Sequence, residues 1–310
     1  MPERLEDAAT RASRTLAIIV HYGDPGLTTT AVSSLVAGTL RPGRIAVVDN
    51  SQGDHDLAEW LSLVRGTVLL RTGRNLGFAS GVNHALERAM TPEVEFVWLL
   101  NNDASVRPDA MHELIESSAR SGDRALVSSL IIDTVSGQVW FTRSRFFPWW
   151  MRSWLERAPS PDQDPDVHFG ERPGWKSIEY LPACSLLVPA AAINALGGFD
   201  PRFFVYGEDV DLSLRAARAG FKLVLARRSV VDHRTSSAST ATGKVRGIAK
   251  GAFLLTAHHY PWLIPFALPA ALLEGTRRAI SQRDSSLLSA RLEGYREALG
   301  VIAGFDRRTG

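Results

Sequence analysis

The chain has 310 residues, a net charge of +2 and one cysteine. So small a charge gives no argument for a nucleic-acid partner, and a lone thiol excludes an intramolecular disulfide, which fits a reducing compartment. The length admits one large domain or two small ones, and the composition is that of an ordinary globular protein.

Residues 1–14 carry Glu3, Arg4, Glu6, Asp7, Arg11 and Arg14. They lack the apolar run of a signal peptide and read as an N-terminal tail. Residues 16–20 are continuously apolar and predict a buried strand, ending at a turn-rich loop over 21–26. A helix follows over about 28–37. The second strand, 45–48, ends at Asp49-Asn50-Ser51. A helix near 57–64 leads to a third strand at 68–70. Strands alternating with helices at this spacing imply a mostly parallel sheet, which binds ligands at the C-terminal ends of its strands. Tyr22 and Asp49 both sit there.

The loop over 73–83 contains Asn75, Gly77 and Asn83 and opens a helix to about Ala89. Such a loop can hold phosphate or ribose oxygens with backbone N–H groups. A plain tight loop is the competing account, since neither dinucleotide spacing nor a Walker lysine is present. A fourth strand, 96–100, runs into Asn101-Asn102-Asp103, either an oxygen-ligand set for a hard divalent cation or an Asx turn. Pro108 opens another helix.

From 124 to 141 short strands return. The run 142–154 mixes arginines with Trp149 and Trp150. That mixture suits stacking on sugars or contact with lipid headgroups, with a half-buried edge as the plainer account. Residues 158–174 are rich in Pro and Asp and read as a loop able to act as a lid. A strand over 181–188 carries Cys184 as a buried thiol, and a short helix starts near Ala190.

The stretch from Gly197 to Arg215 brings together aromatics, Phe204 and Tyr206 among them, and the acids Asp200, Glu208, Asp209 and Asp211. After Gly207 the spacing becomes helical. Glu208 and Asp209 therefore fall in a first turn, where free N–H groups and the helix dipole favour carboxylates and should lower the proton affinity of Asp209. An acidic cap on a surface helix is the competing reading. Asp211 should pair with Arg215 one turn on, so that its loss costs roughly half a kcal/mol. A final strand at 223–226 precedes Val230-Val231-Asp232-His233.

From Ala241 the character changes. Residues 248–273 are apolar but broken by Pro261, Pro265 and Pro269, which argues against a spanning helix and for two helices with a bend. Residues 241–310 hold ten Lys and Arg against five Asp and Glu, a net charge of +5. Basic residues beside an apolar face favour an anionic membrane surface. A helical cap packed on the core and a homo-oligomer contact are the other roles. Residues 293–301 read as one more amphipathic helix.

Four signals, in order, carry a resemblance. They are Val47-Val48-Asp49-Asn50-Ser51, Asn75-Leu76-Gly77-Phe78-Ala79, Leu99-Leu100-Asn101-Asn102-Asp103, and Gly198-Phe199-Asp200 through Tyr206-Gly207-Glu208-Asp209-Val210-Asp211-Leu212. With His233 they make the chain resemble the inverting family 2 glycosyltransferases, of a rhamnosyltransferase-like subgroup, over about 16–240. The resemblance implies an α/β GT-A fold, a Rossmann-like mixed and mostly parallel sheet flanked by helices. The nucleotide-sugar half would span about 15–123, the acceptor half about 124–240, and a helical C-terminal extension 241–310. It implies a nucleotide-sugar donor, Mg²⁺ or Mn²⁺, and a glycan or lipid-linked glycan acceptor.

By the same resemblance Asp49 accepts from a uracil or thymine N3–H, and Tyr22, Asn75, Gly77, Asn83 and Asn101 line the donor nucleotide. Asp103 and His233 hold the metal. Asp209 is the catalytic base with Glu208 beside it, and Phe204, Tyr206, Trp149 and Trp150 lie on the acceptor side. The chain departs from the family pattern at His21-Tyr22-Gly23, at Asn50, and at Asn101, the neutral first residue of the metal-binding motif, which leaves fewer charges on the ion. The donor expected is a dTDP-deoxysugar such as L-rhamnose, or a UDP-sugar. The location expected is cytoplasmic, peripheral on the inner face of the plasma membrane. A catalytically weak nucleotide-sugar-binding protein with an assembly role is the alternative; Asp103, Asp209 and His233 occurring together favours the enzyme.

Overall fold

The computed structural model describes residues 2–51, 55–158, 178–234 and 240–304. The sheet grows outward from β1 (Thr15–His21), in which Leu16, Ala17, Ile18 and Ile19 are all buried. On one side lie β2 (Arg44–Asp49) and then β3 (Thr67–Arg71), and on the other β4 (Phe96–Leu100), all parallel. Strands apolar on both faces need cover on both. The helices α2 (Pro25–Ala37), α3 (His55–Ser62) and α4 (Gly77–Ala89) pack on these strands. Because β1 is flanked by both β2 and β4, the strand order reverses beside it, and a crevice opens at the carboxyl ends.

The second half is mixed. It comprises β5 (Ala104–Val106), α5 (Ala110–Arg120), β6 (Ala125–Asp133), β7 (Val139–Phe147), β8 (Arg152–Ala158), β9 (Ser185–Pro189), α6 (Ala190–Leu196), α7 (Glu208–Arg218) and β10 (Lys222–His233). β9 runs antiparallel between β4 and β6 and so joins the halves. β10 is parallel to β6 and antiparallel to β5, which gives the order β3-β2-β1-β4-β9-β6-β10-β5. β7 and β8 form a hairpin off β6.

Some elements differ from the sequence reading. The N-terminal tail is a helix, α1 (Pro2–Ser13), with Ala8 and Ala12 buried. The Arg11 guanidinium pairs with Asp123 and lies over the Phe96 ring. Two alanines and an arginine stem make too small an apolar face to show in the sequence pattern. Residues 223–226 and 230–233 belong to the single strand β10, which shifts register between Ala226 and Val230. Of residues 181–188, only Ser185 onward enters β9. The loop expected over 158–174 lies, beyond Ala158, outside the described residues.

The C-terminal segment consists of α8 (Ala241–His259), a 3-10 turn over Pro261–Leu263, α9 (Ile264–Gln282) and α10 (Ser285–Ile302). Residues 251–256 on α8 are all buried, so the apolar run belongs to the core. Close approach is set by glycine. A Cβ at Gly294 of α10 would stand 2.3 Å from the Arg246 carbonyl of α8. Among the described residues no helix is long and apolar enough to cross a membrane.

Candidate active site

At the carboxyl end of β2, Asp49 is buried and split in its bonding. Its Oδ1 accepts from the Ser51 N–H at 2.9 Å and from the Ser51 hydroxyl, while Oδ2 is buried without a hydrogen-bond partner. A bare buried carboxylate oxygen is costly and calls for an explanation. A ring N–H donor arriving in the crevice would satisfy it. Tyr22, half exposed, stands at the end of β1 beside it.

The loop before α4 is locked onto the turn before α7. Asn75 Oδ1 accepts from the Gly77 N–H at 2.9 Å. Gly77 has φ +81°, and a Cβ there would lie 2.3 Å from the Phe204 carbonyl oxygen. That oxygen accepts from the Phe78 N–H at 2.7 Å. Asn50 adds a bond from its amide to the Gly77 carbonyl. Asn83, expected at the nucleoside, has both amide atoms on the Phe199 backbone, donating to its carbonyl at 2.8 Å and accepting from its N–H at 2.9 Å. In this structure Asn83 therefore fixes the aromatic turn, because α4 carries it past the loop.

The two expected metal ligands meet. His233 ends β10 and pairs with Ala104 in β5, so its imidazole reaches Asp103 directly. The His233 Nε2 to Asp103 Oδ1 distance is 3.1 Å. Trp140 stacks on the imidazole at 5.0 Å, and His233 Nδ1 is buried without a hydrogen-bond partner. One carboxylate oxygen and one imidazole nitrogen converging in this way fit a divalent ion such as Mn²⁺ or Mg²⁺. Asn101 donates its backbone N–H to the Cys184 carbonyl, and the Asn102 amide reaches the Tyr22 carbonyl.

The first turn of α7 holds two adjacent carboxylates. Phe199 and Phe203 are buried beneath it. Tyr206 has φ +71° and Gly207 φ +101°, a left-handed pair that turns the chain into the helix. Burial pushes the Glu208 carboxyl up to about 8, with help from the Asp209 charge, and Glu208 Oε2 has no hydrogen-bond partner. Burial also raises Asp209, to about 6, against the N–H groups of Val210, Ala183 and Asp209 itself, which favour the anion. The sequence reading expected the helix start to lower the proton affinity of Asp209; desolvation outweighs those N–H groups. The two acids are thus pushed apart, so that near neutral pH one keeps its proton and the other is ionised.

The metal pair and the acid pair are tied through adjacent residues. The Ala183 N–H lies close enough to Asp209 to favour its anion, and the Cys184 carbonyl accepts from the N–H of Asn101 at the strand end that carries Asp103. Tyr180 stands beside Asp209, whose charge together with burial raises its phenol. Ser144 of β7 bonds the Tyr180 backbone, so the β7–β8 hairpin passes close to the acids. At the hairpin tip Trp149 and Trp150 are exposed. Phe204 packs against Gly77, and Tyr206 packs against Gly247 of α8.

Sequence reasoning missed how Asp211 is used. It is fully buried, accepts from Arg215 at 2.7 Å as expected, and also bonds His259 Nε2 at 2.8 Å. The Arg218 guanidinium meets His259 Nδ1. A guanidinium only donates, so Nδ1 accepts and the ring proton lies on Nε2, facing Asp211. Asp211, His258 and His259 cluster with metal-like spacing. Arg215, Arg218 and Arg202 nonetheless occupy one acceptor atom on each of the three. A site ringed by three guanidiniums suits no cation, and it is read as a structural network. Two histidines closing an apolar run were the available sign, since a buried imidazole requires partners.

Residues 16–173 match the family model described as glycosyl transferase family 2. The chain is 28% identical over 242 residues to an N-acetylglucosaminyl-diphospho-decaprenol L-rhamnosyltransferase of Mycobacterium tuberculosis, covering 74% of this chain and 76% of the relative. Among solved structures it resembles GalNAc-T7 with UDP, GalNAc and Mn²⁺, with TM-score 0.59 and 15% identity, over 94% of this chain and 58% of that one. It also resembles the mannosyltransferase PcManGT of Pyrobaculum calidifontis with GDP-Man and Mn²⁺, with TM-score 0.56 and 16% identity, over 92% and 87%. The fold is of the GT-A type.

Proposed function

Because the chain belongs to glycosyl transferase family 2, we propose that it transfers a sugar with inversion from a nucleotide diphosphate to a glycan or lipid-linked glycan acceptor. The observation that carries this reading is the tie through Ala183 and Cys184, which brings a metal-competent pair and a split pair of acids to one crevice. Asp49 takes the N3–H of a uracil or thymine on its bare oxygen, and Tyr22, Asn75, Gly77 and Asn101 border the nucleotide. Asp103 and His233 would hold a divalent ion there, which would supply positive charge towards the leaving diphosphate.

Asp209 accepts the proton of the acceptor hydroxyl as its oxygen attacks the sugar on the face opposite the leaving group. It is half-buried and its Oδ1 accepts from the Val210 N–H at 2.8 Å, which orients the anion. Glu208, kept protonated by burial, keeps a second negative charge out of the site. The identity with a rhamnosyltransferase favours a dTDP-linked deoxysugar such as L-rhamnose, with a UDP-sugar next. The acceptor named in that relative is a lipid diphosphate, which favours a cytoplasmic protein working at the inner face of the plasma membrane.

A panel of UDP-, dTDP- and GDP-sugars, with Mg²⁺ or Mn²⁺, tests the reading by donor hydrolysis and transfer. Turnover of a uracil or thymine donor that stops in chelator is expected. Nucleotide binding with no hydrolysis of any donor would turn the reading into that of a binding protein. Full turnover in chelator would remove the metal from it.

A further inference from the structure

We propose that the tip of the β7–β8 hairpin and the outer face of α9 form one surface that inserts into the headgroup layer of an anionic lipid membrane. It deepens the reading above by placing the lipid side of the acceptor. Trp149 and Trp150 on the hairpin are 54% and 55% exposed, and Trp262, in the 3-10 turn before α9, and Phe266, at its start, are each 65% exposed. The two elements are far apart in sequence, yet the Trp149 and Phe266 rings lie 6.2 Å apart. Leu273 and Ile280, each 72% exposed, continue the face along α9. They follow Phe266 by two-turn steps, so all three point the same way. Water gains nothing from such a surface, and apolar area this continuous marks a contact site.

The composition selects lipid as the occupant. Tryptophan and phenylalanine beside arginine suit the boundary between headgroups and acyl chains. Arg145 and Arg152 flank the tryptophans, and Arg277 and Arg283 flank the far end of α9. Glu274, the acid on α9, is held by Arg277 and Arg278. The segment 241–310 has a net charge of +5. Charge therefore complements an anionic leaflet. With no helix long and apolar enough to cross a membrane among the described residues, the helix lies on the surface. The hairpin that carries the tryptophans also passes Tyr180 beside Asp209, so a membrane-held acceptor would approach from the base side.

The test is flotation of the full chain, without nucleotide, with phosphatidylcholine vesicles that contain or lack phosphatidylglycerol. The protein should float with the anionic vesicles. Trp149→Ser with Trp150→Ser, and separately Trp262→Ser with Phe266→Ser and Leu273→Ser, should each weaken partitioning by about tenfold or more. Leu63→Ser, at an equally exposed apolar residue on the opposite half, should leave it unchanged. Melting curves matching the parent show that each variant is folded. The proposal is overturned if the parent floats with neither vesicle, or if only one of the two sets matters. It is also overturned if the parent is a dimer in solution that both sets dissociate and that does not float. Because no donor enters the assay, failure of the catalytic reading leaves this result standing, and the reverse.

Discussion

Two adjacent carboxylates, Glu208 and Asp209, differ by what surrounds each. Asp209→Asn should keep fold and nucleotide affinity and lose transfer by about a hundred- to ten-thousand-fold. Glu208→Gln should cost less. The parent's transfer rate should rise with pH and level off above an apparent value near 6, since Asp209 must be ionised to act and burial raises it to about 6. Both acids hold their protons more tightly folded than unfolded. Their contribution to stability is therefore complete below the ordinary carboxylate range and falls as pH climbs through it towards about 8, where Glu208 titrates. Glu208→Gln should remove part of that fall, so denaturant curves at alkaline pH should show the variant gaining on the parent. Asp103→Ala should abolish metal-dependent nucleotide binding, measured by calorimetry with and without chelator. Asp49, Asp103, Asp209 and His233 were legible as candidates because their types and order were in the chain. The rise at Asp209 was not, because desolvation depends on neighbours far away in sequence, such as Tyr180 and Ala183, that no local pattern reveals.

Among the elements, α7 was legible from its spacing but its supports were not. Asp211 was expected to carry one helical pair, with Arg215. It instead joins α7 to α8 through His259 and, through Arg215, to the carbonyls of Leu196 and Gly198. Removing one partner of a buried ionic network is costly because it strands the rest. Asp211→Asn should therefore lower unfolding free energy by about 3 kcal/mol rather than half a kcal/mol, read from urea curves. Gly251→Ala is the sharper probe. Its Cβ would stand 2.1 Å from the Tyr206 carbonyl oxygen. The turn carrying Glu208 and Asp209 would have to move, so transfer should fall by roughly tenfold or more while nucleotide affinity holds. Steady-state kinetics beside calorimetry separates the two. A glycine in a helix looks like a weakness in sequence; its use shows only when the facing backbone is known.

Across the whole molecule, alternating strands and helices announced the parallel half correctly, because each strand there is built on a continuous apolar run. The mixed half was less legible. β9 runs against its neighbours, and nothing in Ser185–Pro189 signals direction. The C-terminal segment read as bent helices lying at a membrane surface or packed on the core. In the structure α8 covers the base turn and α10 covers α8. Truncation after Thr240 should therefore lower and broaden the melt by loosening the base turn while the parallel half stays folded, where a peripheral addition would leave the melt unchanged. Circular dichroism on heating decides between them.

The Gly251 and His259 contacts set an order of events in synthesis. Every candidate ligand and base precedes residue 240, but two of the groups that pin the base turn, Gly251 and His259, come after it. A ribosome releases the chain from its N-terminus, so the nucleotide crevice can close around β1 and β4 while α8 is still inside the exit tunnel. Nucleotide binding should appear on stalled chains before transfer does, and transfer should switch on only once His259 has emerged. A partly made chain would then hold its donor without discharging it.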